Sequence, residues 1–473
     1  MKVLIIHFRS APTEEKIPTR NHEKGGELDS AGTDGVSLEM KKRRAVLEEM
    51  GHQVAICSAY DWAEYPLPAL EFDSDETRTM MRNLFEQMDA YSSEEDLERA
   101  FRLSADMLKE SLGKVIRQSS PDTIFVHNVL CLPIHPAATV ALSEVLQESG
   151  IPCTAIHHDI LSEGAYKFNP TCGFARTMLD AHFPPTLPNL SHWTINSRNK
   201  AALAIRGVIA EVIHDTMDFD NLLDDTERKR LRSKLRAKYG IQPNDVVLFV
   251  GARIVPNKRT EIAGQITATL QKMAKDLLEA KLYNGNTFTR KSKFILLLAG
   301  RPEAAFLDYR NKLTEDFNSL KIHWKYVGDD VRPLRSEEQD LYALYPDIHL
   351  VADFVLYPTG WEGFGNQLLE AFASRVPTAV FEYPVFKEDI GPKEPKVVSL
   401  GDLVITRPDG LVELPTLVLK RAVYEILEIL ANAEEYREIA DQNIEVGKEH
   451  FGFDVLRAHL TKSLDWAKSF RTI

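Results

Sequence analysis

Pro358-Thr359-Gly360-Trp361-Glu362-Gly363-Phe364-Gly365-Asn366-Gln367-Leu368-Leu369-Glu370-Ala371 decides how the rest of the chain is read. The apolar run before it, Phe354-Val355-Leu356-Tyr357, predicts a buried strand, and the apolar segment 368–373 predicts a helix packed on a sheet. A glycine-rich strand-to-helix turn offers backbone N–H groups at a helix N-terminus, a place to hold phosphate or sugar oxygens. Glu362 falls in the turn and Glu370 about one turn into the helix, so both can face one ligand. Ionised carboxylates accept hydrogen bonds from hydroxyls, often two at a time. A helix-dipole role would account for one acid in such a turn. Two acids eight positions apart around Gly363-Phe364-Gly365 form a more specific pattern.

At 473 residues the chain is too long for one ordinary core, so two or three domains are expected. The apolar fraction of 44% and charged fraction of 27% are those of a globular protein. No apolar run is long enough to span a bilayer. Met1-Lys2-Val3-Leu4-Ile5-Ile6-His7 lacks the features of a signal peptide, so a cytoplasmic location is expected. The net charge of -13 argues against a nucleic-acid binder while leaving room for a local basic pocket. Cys57, Cys131, Cys153 and Cys172 show no CxxC spacing and read as core thiols of a reducing compartment.

The N-terminal half has a β-α-β rhythm, which implies a parallel sheet. Strands are expected at 3–7, 53–57, 123–127, 153–157, 191–196 and 208–213, with helices at 38–50, 137–149 and 197–206 between them and two more within 61–119. The polar segment 8–34 is long for a βα loop, and such loops are usually functional or disordered. Its cations Arg9, Lys16, Arg20, His22 and Lys24 suit a phosphorylated or carboxylated small acceptor, although a mobile surface loop is the simpler reading. Ala155-Ile156-His157-His158-Asp159 places two histidines and an acid at the C-terminal end of a parallel strand, where open α/β sheets bind ligands. The rhythm restarts at strand 246–250, which ends in Gly251-Ala252-Arg253-Ile254-Val255-Pro256-Asn257-Lys258. An arginine fork and a lysine point charge on one loop make an anion cradle. A long helix is expected over 259–280, strands at 294–298 and 322–327, helices at 304–318 and around 341–345, and closing helices from 417 onward.

Glu362, Gly363-Phe364-Gly365 and Glu370 together resemble the Glu-x7-Glu signature of retaining GT-B glycosyltransferases, the group 1 or family-four type. The fold implied is α/β, with two Rossmann-like domains facing a central cleft. The expected division is 1–215 on the acceptor side, 216–450 for the nucleotide sugar, and 451–473 as a helix crossing back to the first domain. By the same resemblance Arg253 and Lys258 grip the donor diphosphate, and Glu362 holds the donor sugar's hydroxyls. Glu370 holds the ribose, and Gly363, Phe364, Gly365 and Asn366 supply backbone contacts. His158 touches the donor sugar near its 6-hydroxyl. Gly35 and Val36 take the place of the glycine loop under the diphosphate, where a helix start capped by Thr33 or Asp34 is an equal reading. Val331, in the backbone that follows strand 322–327, holds the nucleobase. Where the family has a glycine after the lysine, this chain has Arg259, and Asp34-Gly35 stands for its usual double glycine.

The activity this implies is transfer of a hexose, with retention, from a nucleotide-diphosphate sugar to a small sugar or sugar-derivative acceptor, with UDP-glucose and GDP-mannose the leading donors. The pattern calls for no metal and no cofactor. Asp73-Ser74-Asp75 and Asp218-Phe219-Asp220 look like DxD metal motifs but lack the strand context and read as solvated acids. Two other classes stay open: an epimerase or phosphorylase on the same fold, and a non-catalytic nucleotide-sugar sensor. The oligomeric state and the acceptor's identity are not legible.

Overall fold

The computed structural model describes residues 1–10, 35–162, 167–332, 343–344 and 347–472. The chain divides into two compact units: Met1–Asp215 with Asp454–Ile473, and Thr216–Phe453. Each is a Rossmann-like α/β unit on a parallel sheet.

The first unit holds strands β1 (Lys2–Ile6), β2 (Gln53–Ser58), β3 (Tyr65–Pro66), β4 (Thr123–His127), β5 (Cys153–His157), β6 (Leu190–Thr194) and β7 (Ala210–Val212). Their spatial order is β3-β2-β1-β4-β5-β6-β7, with every pairing parallel. β4 and β5 are buried at every position. That is why they appear in the sequence as continuous apolar runs: helices cover both faces of a parallel sheet. The helices are α1 (Gly35–Glu49), α2 (Asp75–Phe85), α3 (Glu94–Ser119), α4 (Pro136–Ser149), α5 (Gly173–His182) and α6 (Ser197–Ile205). Asp73 and Asp75 belong to a helix start. Ser74 caps α2 by accepting from the Thr77 backbone N–H at 3.1 Å, and both acids pair with Arg78. Arg9 lies 4.3 Å above the Phe72 ring and 3.7 Å from Glu71. Lys16, Arg20, His22 and Lys24 lie outside the described residues.

The second unit holds α7 (Asp225–Lys238), β8 (Val246–Val250), α8 (Thr260–Lys272), β9 (Phe294–Leu298), α9 (Leu307–Ser319), β10 (His323–Tyr326), β11 (Val331–Arg332), β12 (Ala343–Leu344), β13 (Phe354–Tyr357), α10 (Asn366–Ala373), β14 (Thr378–Val380), β15 (Val398–Ser399), α11 (Thr416–Ala431) and α12 (Ala433–Phe451). Its main sheet has the order β10-β9-β8-β13-β14-β15. The last helix, α13 (Phe453–Thr472), belongs almost wholly to the first unit. There Ser463 shares a 2.8 Å hydrogen bond with Thr154 of β5, and Arg457 pairs with Glu49 of α1.

Two expected helices differ. The one expected around 341–345 is strand at Ala343–Leu344, paired in parallel with Val331–Arg332, because an apolar run this short gains more from a partner strand than from one helical turn. The one expected over 259–280 is α8 alone, ending at Lys272 with a short 3-10 turn at Ala274–Leu277 after it. Asp218-Phe219-Asp220 forms a local turn: Asp218 accepts from the backbone of Asp220 and Asn221, and Asp220 pairs with Lys448 at 2.5 Å.

Candidate active site

In the second unit, the loops that leave the C-terminal ends of β8, β9 and β13 are locked together by backbone. Gly360 N–H donates to Asn257 O at 2.8 Å, and Ile254 N–H donates to Arg301 O at 3.0 Å. A Cβ on Gly300 would fall on the Ala252 carbonyl, so only glycine allows this approach of the β8 and β9 loops. Lys258 sits at the end of a single 3-10 turn, Pro256–Lys258, and is 5% exposed. Its ammonium meets Glu362 Oε1 at 2.5 Å, and the Thr359 hydroxyl reaches the same carboxylate oxygen at 3.3 Å. Two residues 104 positions apart thus share one spot at the mouth of the glycine turn.

Arg259 has φ +50° and ψ +44°, left-handed values that explain why glycine would suit this position. The arginine accepts that backbone and uses its side chain elsewhere. Its guanidinium lies over the Phe381 ring at 4.4 Å and against Gly360, where a Cβ would collide with it. The departure from the expected glycine therefore braces the turn from behind.

The glycine turn is fixed from below. Gly365 has φ +152° and ψ +46° at the cap of α10, and a Cβ there would lie 2.5 Å from the Tyr383 hydroxyl. That hydroxyl donates to Phe364 O at 2.5 Å. The Phe364 ring is buried and packs edge-on against Phe451, so its side chain belongs to the core. Glu370 is 3% exposed on α10, with Oε2 3.8 Å from His349 Nε2. His349 lies in the short 3-10 turn Asp347–Val351 just before β13.

The structure does not join every expected residue to this group. Arg253 is 64% exposed and pairs with Glu303. Val331 is buried in the core of the unit. Gly35 and Val36 open α1 in the first unit, and residues 33 and 34 lie outside the described part.

His158, also in the first unit, is buried at the end of β5. Its Nε2 stands 3.0 Å from His127 Nδ1, and its Nδ1 is 3.7 Å from Asp215 Oδ1. His127 in turn offers its backbone carbonyl to His7 Nδ1 at 2.7 Å. The Asn128 side chain, held at φ +57°, accepts from the His158 backbone N–H at 2.8 Å and donates to Asp159 at 3.0 Å. His157 points the other way and pairs with His192 at 3.0 Å, which makes it a core residue. Burial, then the nearby Arg43 cation, holds His127 and His158 well below the ordinary imidazole pKa. Burial also lowers His157, and it brings His192 down to about 4.

These shifts set a pH dependence. The folded chain keeps the four imidazoles neutral, while the unfolded chain protonates them near about pH 6.5. Below that pH the unfolded state binds more protons, so stability falls as pH drops from 7 toward 5 and is fully present above about 6.5. Each histidine contributes up to about 1.4 kcal/mol per pH unit in that window. Melting temperatures across pH 5–7.5 are expected to fall on the acid side, and the H157F/H192F double variant is expected to show a shallower slope.

Thr359 and His127, which hydrogen-bond Glu362 and His158, and His349 and Asp215, which lie beside Glu370 and His158, do not stand out in the sequence. Thr359 lies only three residues from Glu362, but the other three have partners distant in the sequence, and no local spacing announced them.

Paired parallel-sheet Rossmann-like units, with the glycine turn at the C-terminal edge of one sheet, define a class: this is a GT-B glycosyltransferase of the group 1 type. Solved structures similar in fold include sucrose-phosphate synthase from Thermosynechococcus elongatus, at TM-score 0.57 and 14% identity, with 99% of each chain covered. Another is Anabaena HepE in complex with UDP and glucose, at TM-score 0.56 and 14% identity, covering 98% of this chain and 99% of that one. Mannosylglucosylglycerate synthase of Thermotoga maritima is 32% identical over 467 residues, 98% of this chain and 100% of its own. The chain belongs to the mannosylglucosylglycerate synthase family. The Petrotoga mobilis synthase is 28% identical over 430 residues, 90% of this chain and 97% of its own. No family model matches the chain. Among the described residues, no helix is long and apolar enough to cross a membrane.

Proposed function

We propose that the protein transfers a mannosyl group, with retention, from a nucleotide-diphosphate mannose to glucosylglycerate, yielding mannosylglucosylglycerate. GDP-mannose is the favoured donor. The observation that carries this reading is the Lys258–Glu362 pair at the mouth of the glycine turn, in a chain 32% identical over nearly its whole length to a synthase of that product. The acceptor is a small carboxylated sugar derivative.

In the reaction the bond from the sugar C1 to the β-phosphate oxygen breaks. The acceptor hydroxyl oxygen joins C1 on the same face, and its proton leaves with the diphosphate. Charge builds on that diphosphate, where fixed cations are most effective. Lys258 rests on Glu362 before donor arrives. When the donor binds, the ammonium turns to the diphosphate and releases the Glu362 carboxylate to the sugar hydroxyls. Arg253, now paired with Glu303 and exposed, swings to the same anion. Glu370 accepts from the ribose hydroxyls, and the Gly363, Gly365 and Asn366 backbone serves the sugar. His158 keeps a contact near the 6-hydroxyl, Gly35 and Val36 a place under the diphosphate, and the backbone at Val331 holds the nucleobase. With Lys258 and Arg253 supplying the positive charge, the scheme needs no metal: turnover after treatment with a chelator is expected to match the untreated rate, and a loss restored by a divalent cation would refute this part.

The reading is tested by incubating the protein with glucosylglycerate and GDP-mannose or UDP-glucose in separate reactions. Mannosylglucosylglycerate is expected with GDP-mannose alone, and anomeric assignment by NMR reads the stereochemistry. Glu370→Ala is expected to weaken GDP binding about 100-fold, since hydrogen bonds to a charged group contribute about 1.5–3 kcal/mol each. Absence of product with both donors, or sugar release that depends on inorganic phosphate, would overturn the proposal.

A further inference from the structure

We propose that the second unit carries a separate binding site for a small phosphorylated sugar, at the edge of its sheet opposite the glycine turn. A cavity of about 830 Å³ opens there, lined by α7, by Asn284 and Asn286, and by Ser374-Arg375-Val376 at the end of α10. Pro243 and Ala352, which lie just ahead of β8 and β13, also line it, so it sits at the N-terminal ends of strands whose C-terminal ends lead to Lys258 and Glu362. A five-residue strand separates the two edges by about 17 Å. The volume lies within the range of about 300–1,000 Å³ that small-molecule sites occupy.

Its lining is cationic in a chain of net charge -13: Arg228, Lys229, Arg232, Arg236 and Arg375. Arg232 and Arg236 are answered by the buried Asp353, on separate oxygens at 2.6 and 2.9 Å. Arg228 and Arg375 share only Asp225, at 3.9 and 3.3 Å, and its side chain is 73% exposed. The Nε of each has no hydrogen-bond partner among the described residues. Burial and the neighbouring Arg375 both push the Arg228 pKa down, the mark of a charge short of anions. Arg375 also holds a left-handed backbone, φ +55°, a region that residues other than glycine rarely adopt. A phosphate group would supply the missing anion, in fork geometry to two guanidinium groups. Asn284 Oδ1 already accepts from the Asn286 N–H and Asn286 Nδ2 donates to Pro243 O, which leaves Asn284 Nδ2 and Asn286 Oδ1 to meet sugar hydroxyls.

The same cations are tied to the glycine-turn side of the unit. Arg228 Nη2 donates to Ser374 O at 2.6 Å, at the C-terminal end of the helix whose first residue is Asn366. Arg232 donates to Leu350 O at 2.8 Å, next to the His349 that faces Glu370. A phosphate that draws Arg228 or Arg232 toward itself changes its hold on α10 and on the 347–351 turn. Occupancy of the cavity therefore shifts nucleotide affinity, and the coupling is reciprocal.

The test is calorimetric titration of the intact protein with inorganic phosphate and, separately, glucose 1-phosphate, in a saturating mixture of GDP and UDP. Binding of glucose 1-phosphate is expected in that mixture, at least tenfold tighter than phosphate, with a shift in GDP affinity once the cavity is filled. R228Q/R375Q is expected to weaken it at least tenfold. Lys229 is exposed, so K229E offers a variant without a folding burden, expected to weaken binding about fivefold. Equal binding of phosphate and glucose 1-phosphate would remove the sugar from the proposal. No binding, binding abolished by the nucleotides, or binding unchanged in both variants would overturn the site. Because the readout is binding, failure of the transfer reaction leaves it unaffected.

Discussion

Lys258→Ala is expected to lower kcat/KM by about 10²–10³, the loss seen when one fixed donor to a developing anion is removed. The ammonium is 5% exposed and its Nζ sits 2.5 Å from Glu362. No other lysine or arginine side chain is recorded in a contact with Glu362 among the described residues, so the side chain has no substitute there. Arginine is a poor replacement, because a planar fork does not fit a spot shaped for a point charge. The variant also strands the Glu362 carboxylate. Breaking a fully buried pair costs about 3–5 kcal/mol, and this one, with Glu362 19% exposed, is expected to cost about 1–3 kcal/mol. K258A/E362A should therefore be more stable than K258A while remaining inactive, a coupling that a double-mutant cycle measures by denaturant unfolding. Wild-type turnover in K258A would remove Lys258 from the chemistry. Equal stability of the two variants would show that the pair contributes nothing to the fold.

Gly365→Ala is expected to lower stability by about 2–6 kcal/mol, and kcat/KM by about 10² in the fraction that folds. Two costs combine. At φ +152° an alanine is strained by about 1–3 kcal/mol. Its Cβ would also come within 2.5 Å of the Tyr383 hydroxyl, which must move off Phe364 O and leave a buried carbonyl without its donor. That loss adds about 1–3 kcal/mol. Tyr383→Phe alone carries only the second cost. In the G365A/Y383F double variant the obstructing oxygen is gone, so its instability should fall short of the sum of the singles. Thermal melts of the three variants check this. Additive losses would mean that the Tyr383 contact does not shape the turn.

These two residues mark the boundary of what the primary structure discloses. Gly365 and Lys258 are visible in it as members of a local pattern, since strand, glycine turn and helix follow one another without interruption. The strands Val246–Val250 and Phe294–Leu298 are equally legible, because full burial on both faces leaves an unbroken apolar run. What escapes notice is whatever depends on a partner from elsewhere in the chain. Glu362 shares its oxygen with Lys258 across 104 positions, and His158 stacks on His127 across 31. Arg259 illustrates a second kind of opacity. The missing glycine is evident, but only the backbone angle shows that the arginine took its conformation as well as its place. Ala343–Leu344 shows a third: a pair of apolar residues carries no period, and its state follows from the strand it meets.

The return of α13 to the first unit bears on how the chain is made. The segment that builds β1 to β7 leaves the ribosome before the second unit, yet Ser463, Arg457 and His459, which contact Thr154, Glu49 and Glu211, are translated after that unit. The unit begun first is therefore finished last. The second unit, whose chain is continuous from Thr216 to Phe453, has all its residues before that closure. Throughout elongation the N-terminal half waits with one flank open, exposing the surface that Leu456, Leu460 and Leu464 later cover. Nascent chains stalled before residue 454 should accordingly be cut by protease in the N-terminal half while the later half resists, the reverse of the order in which the two were synthesised.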